Sequence, residues 1–173
     1  MQTLILGGAR SGKSRLAERL AKESGRQVTY IATASADDGE MAARIAHHRK
    51  RRPGHWATIE EPLALADVLR REARSDRLLL VDCLTLWLTN LLCAEDSGHL
   101  ERETRALMDA LEALPGELIL VSNEVGLGVV PMGELSRRYV DEAGWLHQAL
   151  AERMDRVVMT VAGLPHVLKG ALV

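Results

Sequence analysis

The sequence contains no phenylalanine, and three tryptophans with two tyrosines hold its aromatic content to 3%. A core must therefore be packed from leucine, valine, isoleucine and alanine, and a hydrophobic share of 47% over 173 residues supplies enough of them. A chain of this length buries roughly 70% of the surface it exposes when unfolded, which argues against disorder. Cysteine is scarce as well: Cys83 and Cys93 cannot form a disulfide framework, and their spacing matches no common metal motif. Two free thiols in a reducing compartment are expected, with the cytoplasm as the default. No sign of charge dominates, since 22 Lys and Arg face 24 Asp and Glu for a formal net charge of −2. There is no global basic field for nucleic acid or anionic membrane, and only a local patch could supply one. Long apolar runs are missing too. Leu84 to Leu92 is interrupted by Thr85, Thr89 and Asn90, and the opening MQTLILGGAR is too short for a signal peptide's apolar region. No membrane insertion is expected.

What is present is an alternation of short apolar runs with helical patterns. Thr3 to Leu6, Val28 to Ala32, Leu78 to Val81, Leu118 to Ser122 and Val157 to Val161 read as strands. Each is almost wholly apolar, as in a parallel sheet covered on both faces. Helical periodicity marks Ser14 to Glu23, Glu40 to Arg52, Leu63 to Ala73, Leu100 to Leu114 and Glu134 to Met154. Pro62 suits the first turn of the third of these, and Pro115 with Gly116 stops the fourth. Trp56 to Glu60 is a candidate edge strand, and the apolar tail Val167 to Val173 a candidate edge strand or subunit contact. Trp56, Trp87 and Trp145 default to core or interface packing. The order of elements predicts an α/β fold, and with no linker-like stretch or repeat one domain over residues 1–173 is expected.

Between the first strand and the first helix the chain reads GGARSGKS: Gly7, Gly8, Ala9, Arg10, Ser11, Gly12, Lys13 and Ser14. This is the GxxxxGK[ST] phosphate-binding loop in the context that makes it meaningful. Gly7 and Gly12 let the backbone turn so that successive N–H groups converge on a β-phosphate at the positive end of the helix. Lys13 would reach the β- and γ-oxygens, and Ser14 would offer its hydroxyl to Mg²⁺. Asp82, closing the run LLLVD, is the candidate carboxylate on the metal side, with a helix N-cap as its other reading.

Arg44 to His55 reads RIAHHRKRRPGH, five cationic side chains and three histidines without an acid. On a helix, Arg44, His47, His48 and Arg51 gather on one surface. A solvated or nucleic-acid-binding face is the plain reading of such a run. Beside a phosphate loop, a second reading arises: cations that balance a triphosphate, and an imidazole able to form a bond to phosphorus. Neighbouring Arg and Lys disfavour imidazolium and so help keep the ring nucleophilic. Spacing alone does not choose between His47 and His48. A metal site is disfavoured, because adjacent histidines on a helix diverge and no carboxylate completes a set.

Five blocks then resemble one family nearly end to end: GGARSGKS; YIATA at Tyr30 to Ala34; DDGEMAARIAHHRKRRPGHW at Asp37 to Trp56; DCLTLWLTNLL at Asp82 to Leu92; and SNEVGLGVVP at Ser122 to Pro131. The chain resembles the bifunctional adenosylcobinamide kinase and adenosylcobinamide-phosphate guanylyltransferase of cobalamin biosynthesis. The resemblance implies a RecA-like P-loop NTPase fold, three-layered with a mostly parallel sheet, and a homotrimer with sites near subunit boundaries. It implies that the first histidine of the pair, His47, attacks the α-phosphate of GTP and carries GMP to adenosylcobinamide phosphate. It also implies phosphorylation of adenosylcobinamide with ATP or GTP. The nucleotide contacts it implies are Gly7 to Ser14, Ala32, Thr33, Ala34, His48, Arg49, Lys50, Arg51, Glu60 and Asp82, with Ser14 and Asp82 toward Mg²⁺. Asn123 and Glu124 fall at the C-terminal end of a predicted central strand, where α/β sheets bind ligands. Glu124 is therefore either a ligand contact or a polar anchor for the glycine-rich loop behind it. The competing functions are a P-loop small-molecule kinase with no covalent step and a nucleic-acid binder using Arg44 to Arg52, the latter opposed by the near-neutral charge.

Overall fold

The computed structural model describes residues 1–34, 53–96 and 98–171. In chain order its elements are β1 (Gln2–Gly7), α1 (Lys13–Glu23), β2 (Gln27–Ala32), β3 (Ala57–Glu60), α2 (Leu65–Glu72), β4 (Arg77–Asp82), α3 (Leu84–Leu92), α4 (His99–Leu111), β5 (Glu117–Asn123), α5 (Glu134–Arg153), β6 (Arg156–Val161) and β7 (Leu164–Lys169). The strands form one seven-stranded sheet in the order β3-β2-β4-β5-β1-β6-β7. Every neighbouring pair is parallel except β6 with β7. The five apolar runs expected as strands are all strands, each a residue or two longer than the apolar stretch itself.

Their near-continuous apolar character has the cause expected of a doubly covered sheet. Alternate residues of each strand feed two different cores. On one face, Ile5, Tyr30, Leu80, Ile119 and Val158 pack against Leu16, Ala17, Leu20 and Ala21 of α1 and against Trp56. On the other, Leu4, Leu6, Ile31, Leu79 and Leu120 pack against α2, α3, α4 and α5. Trp87 of α3 is fully buried in this second core, and its indole N–H donates to Leu63 O at 2.7 Å. The volume that Phe would supply elsewhere is carried here by this indole, whose truncation to alanine costs about 3–5 kcal/mol in a typical core.

Several boundaries differ from the expectation. Pro62 lies ahead of α2 rather than in its first turn, because the Glu61 carboxylate accepts the Leu63 and Ala64 N–H groups at 2.9 and 2.8 Å and sets the start of the helix at Leu65. The helix predicted to run to Leu114 ends at Leu111. The C-terminal edge strand is Leu164–Lys169 instead of Val167 to Val173. It closes a two-residue hairpin with β6 in which Ala162 and Gly163 both have positive φ, the turn whose twist matches paired strands. Trp145 is 63% exposed, so it is no core residue of this chain, whereas Trp56 and Trp87 are buried. The helix expected over Glu40 to Arg52 lies outside the described residues.

Candidate nucleotide site

Because β1 to β6 all run in the same direction, the residues after their C-terminal ends share one edge of the sheet. Gly7 pairs with Asn123, Ala32 with both Glu60 and Asp82, and Asp82 with Val121. The phosphate loop, Ala32 to Ala34, Glu60 and Asp82 are therefore brought to one edge although up to 75 positions separate them in sequence. The β1 and β4 strands that carry the loop and the carboxylate are separated by β5 alone, a gap of about 10 Å at ordinary strand spacing.

The loop is built to leave donors unclaimed. Gly12 stands at the N-cap of α1 in the left-handed region, φ 102°, with no side-chain cap bond, and no acid occupies the first turn. The first N–H groups of α1 thus keep their positive end for an anion. Gly7 also has positive φ, 151°, and faces Thr160 so closely that a Cβ there would stand 2.5 Å from both Thr160 O and Thr160 Oγ1. Lys13 folds over the loop, its ammonium donating to Gly8 O at 2.6 Å. Burial lowers its pKa, while Cys83 and the carboxylate of Asp82, two strands away from β1, pull the other way. Asp82 is placed by the strand register at the same sheet edge as the loop, where a carboxylate on the metal side is required. Its alternative reading as a helix cap is not observed: Cys83 is the N-cap of α3 and has no side-chain cap bond.

A second layer holds these parts in place. Thr33 Oγ1 donates to Cys83 O at 2.6 Å and accepts from Cys83 N–H at 3.0 Å, tying the end of β2 to the residue after Asp82. Asn90 of α3 donates to Thr33 O and Pro62 O. Behind the loop, Thr160 Oγ1 donates to Leu6 O at 3.0 Å and meets Ser11 Oγ at 2.8 Å, while Gly163 N–H donates to Ser11 O at 2.9 Å. The β6–β7 hairpin therefore braces the phosphate loop. No local sequence signal marks Thr160 or Gly163, because their partner is about 150 residues earlier in the chain.

At the β5 end, Glu124 N–H donates to Gly7 O at 3.0 Å, and Glu124 Oε1 accepts from Gly126 N–H at 2.6 Å. The anchoring role expected of Glu124 is thus present. Its other oxygen lies 3.6 Å from His147 Nδ1, and His147 Nε2 is 2.8 Å from Ser122 Oγ. Burial lowers the pKa of His147, with Glu124 opposing. The following residues carry an exposed apolar run, with Val129 and Met132 each 96% exposed. His47, His48, Arg49, Lys50 and Arg51 lie outside the described residues.

A family model described as cobinamide kinase / cobinamide phosphate guanyltransferase matches residues 3–168. The chain belongs to this family. It is 72% identical over 170 residues to the bifunctional adenosylcobalamin biosynthesis protein CobP of Pseudomonas aeruginosa, covering 98% of each chain. It is 39% identical to the bifunctional adenosylcobalamin biosynthesis protein CobU of Escherichia coli, covering 95% of this chain and 97% of that one. Among solved structures, the RadB recombinase superposes with a TM-score of 0.52 at 17% identity, over 91% of this chain and 73% of that one. The type III secretion ATPase EscN of enteropathogenic E. coli superposes with a TM-score of 0.56 at 16% identity, over 92% of this chain and 41% of that one. These two likenesses concern the fold, which is the RecA-like α/β arrangement expected from the sequence. Among the described residues no helix is long and apolar enough to cross a membrane, and no group of three or more His, Cys, Asp or Glu side chains is placed to hold a metal by itself.

Proposed function

We propose that the protein phosphorylates adenosylcobinamide with ATP or GTP and transfers GMP from GTP to adenosylcobinamide phosphate, yielding adenosylcobinamide-GDP in cobalamin biosynthesis. The observation that carries this reading is an uncapped α1 N-terminus behind a complete phosphate loop, with Asp82 at the same sheet edge. It is combined with membership of a family whose description names both reactions. In the kinase step, the N–H groups from Gly8 to Ser14 would hold the β-phosphate and Lys13 the β- and γ-oxygens. In the guanylyl step, an imidazole nitrogen of His47 attacks the α-phosphorus, the bond to the pyrophosphate oxygen breaks, and GMP is held as a phosphoramidate. The phosphate of adenosylcobinamide phosphate then attacks the same phosphorus and releases the imidazole. His48, Arg49, Lys50 and Arg51, with Ala32, Thr33, Ala34 and Glu60, are the proposed remaining nucleotide contacts.

Ser14 and Asp82 present a hydroxyl and a carboxylate, the oxygen donors Mg²⁺ favours, with the rest of its shell left to phosphate and water. When bound, Mg²⁺ would neutralise charge building up on the phosphate oxygens. Because no group of three or more His, Cys, Asp or Glu side chains among the described residues surrounds Asp82, the pair fits an ion that arrives with its nucleotide. A homotrimer working in the cytoplasm completes the proposal.

GTP labelled at the α-phosphate should leave acid-labile label on the protein. His47→Ala should abolish that label and guanylyl transfer while most of the kinase activity persists; an adduct surviving in this variant overturns the assignment. Label reaching the corrinoid only from the γ-phosphate, with none on the protein, would favour the simple kinase.

A further inference from the structure

The carboxylate of Glu124 has no part in holding nucleotide in the scheme above, yet its surroundings are those of a working group. It stands one residue beyond the β5 register partner of Gly7, its own N–H bonded to Gly7 O at 3.0 Å. It therefore sits at the end of the strand between the phosphate-loop strand and the Asp82 strand. The alignment of its oxygens is determined from two directions. Oε1 is held by Gly126 N–H at 2.6 Å, and Oε2 faces His147 Nδ1 at 3.6 Å. His147 is itself held by Ser122, whose Oγ lies 2.8 Å from Nε2, so that the other ring nitrogen, Nδ1, is the one turned toward Glu124. The side chain of His147 is 9% exposed, but that of Glu124 is 21% exposed. The chain thus builds a buried Ser–His pair behind a carboxylate that remains open to an incoming molecule. Other acids near this edge have tasks of their own: Glu61 holds the Leu63 and Ala64 N–H groups ahead of α2, while Glu60 and Asp82 are assigned above to the nucleotide and its metal.

We propose that Glu124 is the general base of the kinase reaction, positioned by His147. The acceptor hydroxyl oxygen attacks the γ-phosphorus, the bond from that phosphorus to the β,γ-bridging oxygen breaks, and the nucleoside diphosphate leaves with its electron pair. The hydroxyl proton passes to a Glu124 oxygen and afterwards to solvent through the exposed side of the carboxylate. The acceptor class is an alcohol carried on a large substrate that approaches over the end of β5, opposite the phosphates held at the α1 N-terminus. This assignment rests on the kinase reading given above.

Glu124→Gln keeps an oxygen for Gly126 N–H and removes the base, so it separates proton transfer from loop anchoring. With γ-labelled ATP and adenosylcobinamide, its kcat should fall by about 100-fold or more, the usual contribution of a positioned base, while KM for ATP changes less than about threefold. Guanylyl transfer to adenosylcobinamide phosphate, measured on the same preparation, should fall far less, so the ratio of the two activities shifts by at least about 30-fold. A kinase kcat within about threefold of the parent overturns the proposal, as does an equal loss of both activities. Circular dichroism and urea titration of Glu124→Gln and Glu124→Asp guard against misfolding, and the aspartate variant should recover part of kcat if a carboxylate is needed. Lys13→Ala separates the two levels of inference: kinase activity undiminished in that variant would refute the phosphate-loop reading itself, whatever Glu124 does.

Discussion

Gly7→Ala and Gly8→Ala are a pair that the motif treats as neighbours and the structure treats as opposites. At Gly7 the backbone has φ 151°, and a new Cβ would stand 2.5 Å from Thr160 O, 2.5 Å from Thr160 Oγ1 and 2.6 Å from Ser11 Oγ. Thr160 O is backbone in a paired central region of the sheet and cannot swing away. A disfavoured backbone conformation costs of order 1–3 kcal/mol, and forcing a methyl into filled space typically costs about 1–3 kcal/mol more. The substitution should therefore cost about 2–6 kcal/mol, divided between folding stability and displacement of the loop. If the loop yields, even about 2 kcal/mol lost from its N–H cradle weakens nucleotide binding by roughly 30-fold. At Gly8 no atom lies within 4 Å of the corresponding Cβ. Gly8→Ala should accordingly change stability by less than about 1 kcal/mol. Urea unfolding and calorimetric titration with GTP on both variants measure the two quantities. Equal behaviour of the variants in both assays would refute the claim that Thr160 and the hairpin behind it determine the shape of the loop.

The two thiols should differ in chemistry: burial, reinforced by Asp82, pushes Cys83 up to about 11, whereas Cys93 is exposed. Iodoacetamide at about pH 8 followed by peptide mass spectrometry should find Cys93 modified and Cys83 largely unmodified, and comparable labelling would contradict the burial argument. His147 links stability to pH. Its folded pKa lies below the ordinary 6.5, so the unfolded state takes up the proton first as pH falls. The stability it contributes is present above about 6.5 and declines as pH drops from there toward the folded pKa. His147→Gln should flatten the slope of unfolding free energy against pH below about 6.5, and parallel slopes for variant and parent would show that the histidine is not buried neutral.

Much of the site is legible in the sequence because its signals are local. A strand, a GGARSGKS turn and a helix follow one another within the first 23 residues, and the bond geometry of a phosphate cradle requires that order. Asp82 is readable for the same reason, as an acid ending a run of buried β residues. The helix start at Leu65 is not, since Pro62 gives a plausible signal while the actual determinant is the Glu61 carboxylate bonding two N–H groups. Trp145 shows a different limit: a large aromatic residue in a helical pattern does not reveal which side of the helix will find a sheet to cover it.

The primary structure by itself determined the α/β class, the phosphate loop and the family, because periodicity and contiguous motifs are properties of neighbouring residues. Tertiary structure alone decided that β5 lies between the Gly7 and Asp82 strands, that Thr160 and Gly163 brace Ser11, and that Ser122, His147 and Glu124 form one connected chain. Those pairings join residues up to about 150 positions apart. They are selected by which apolar faces can be buried together in a single sheet, and no window of sequence contains both partners.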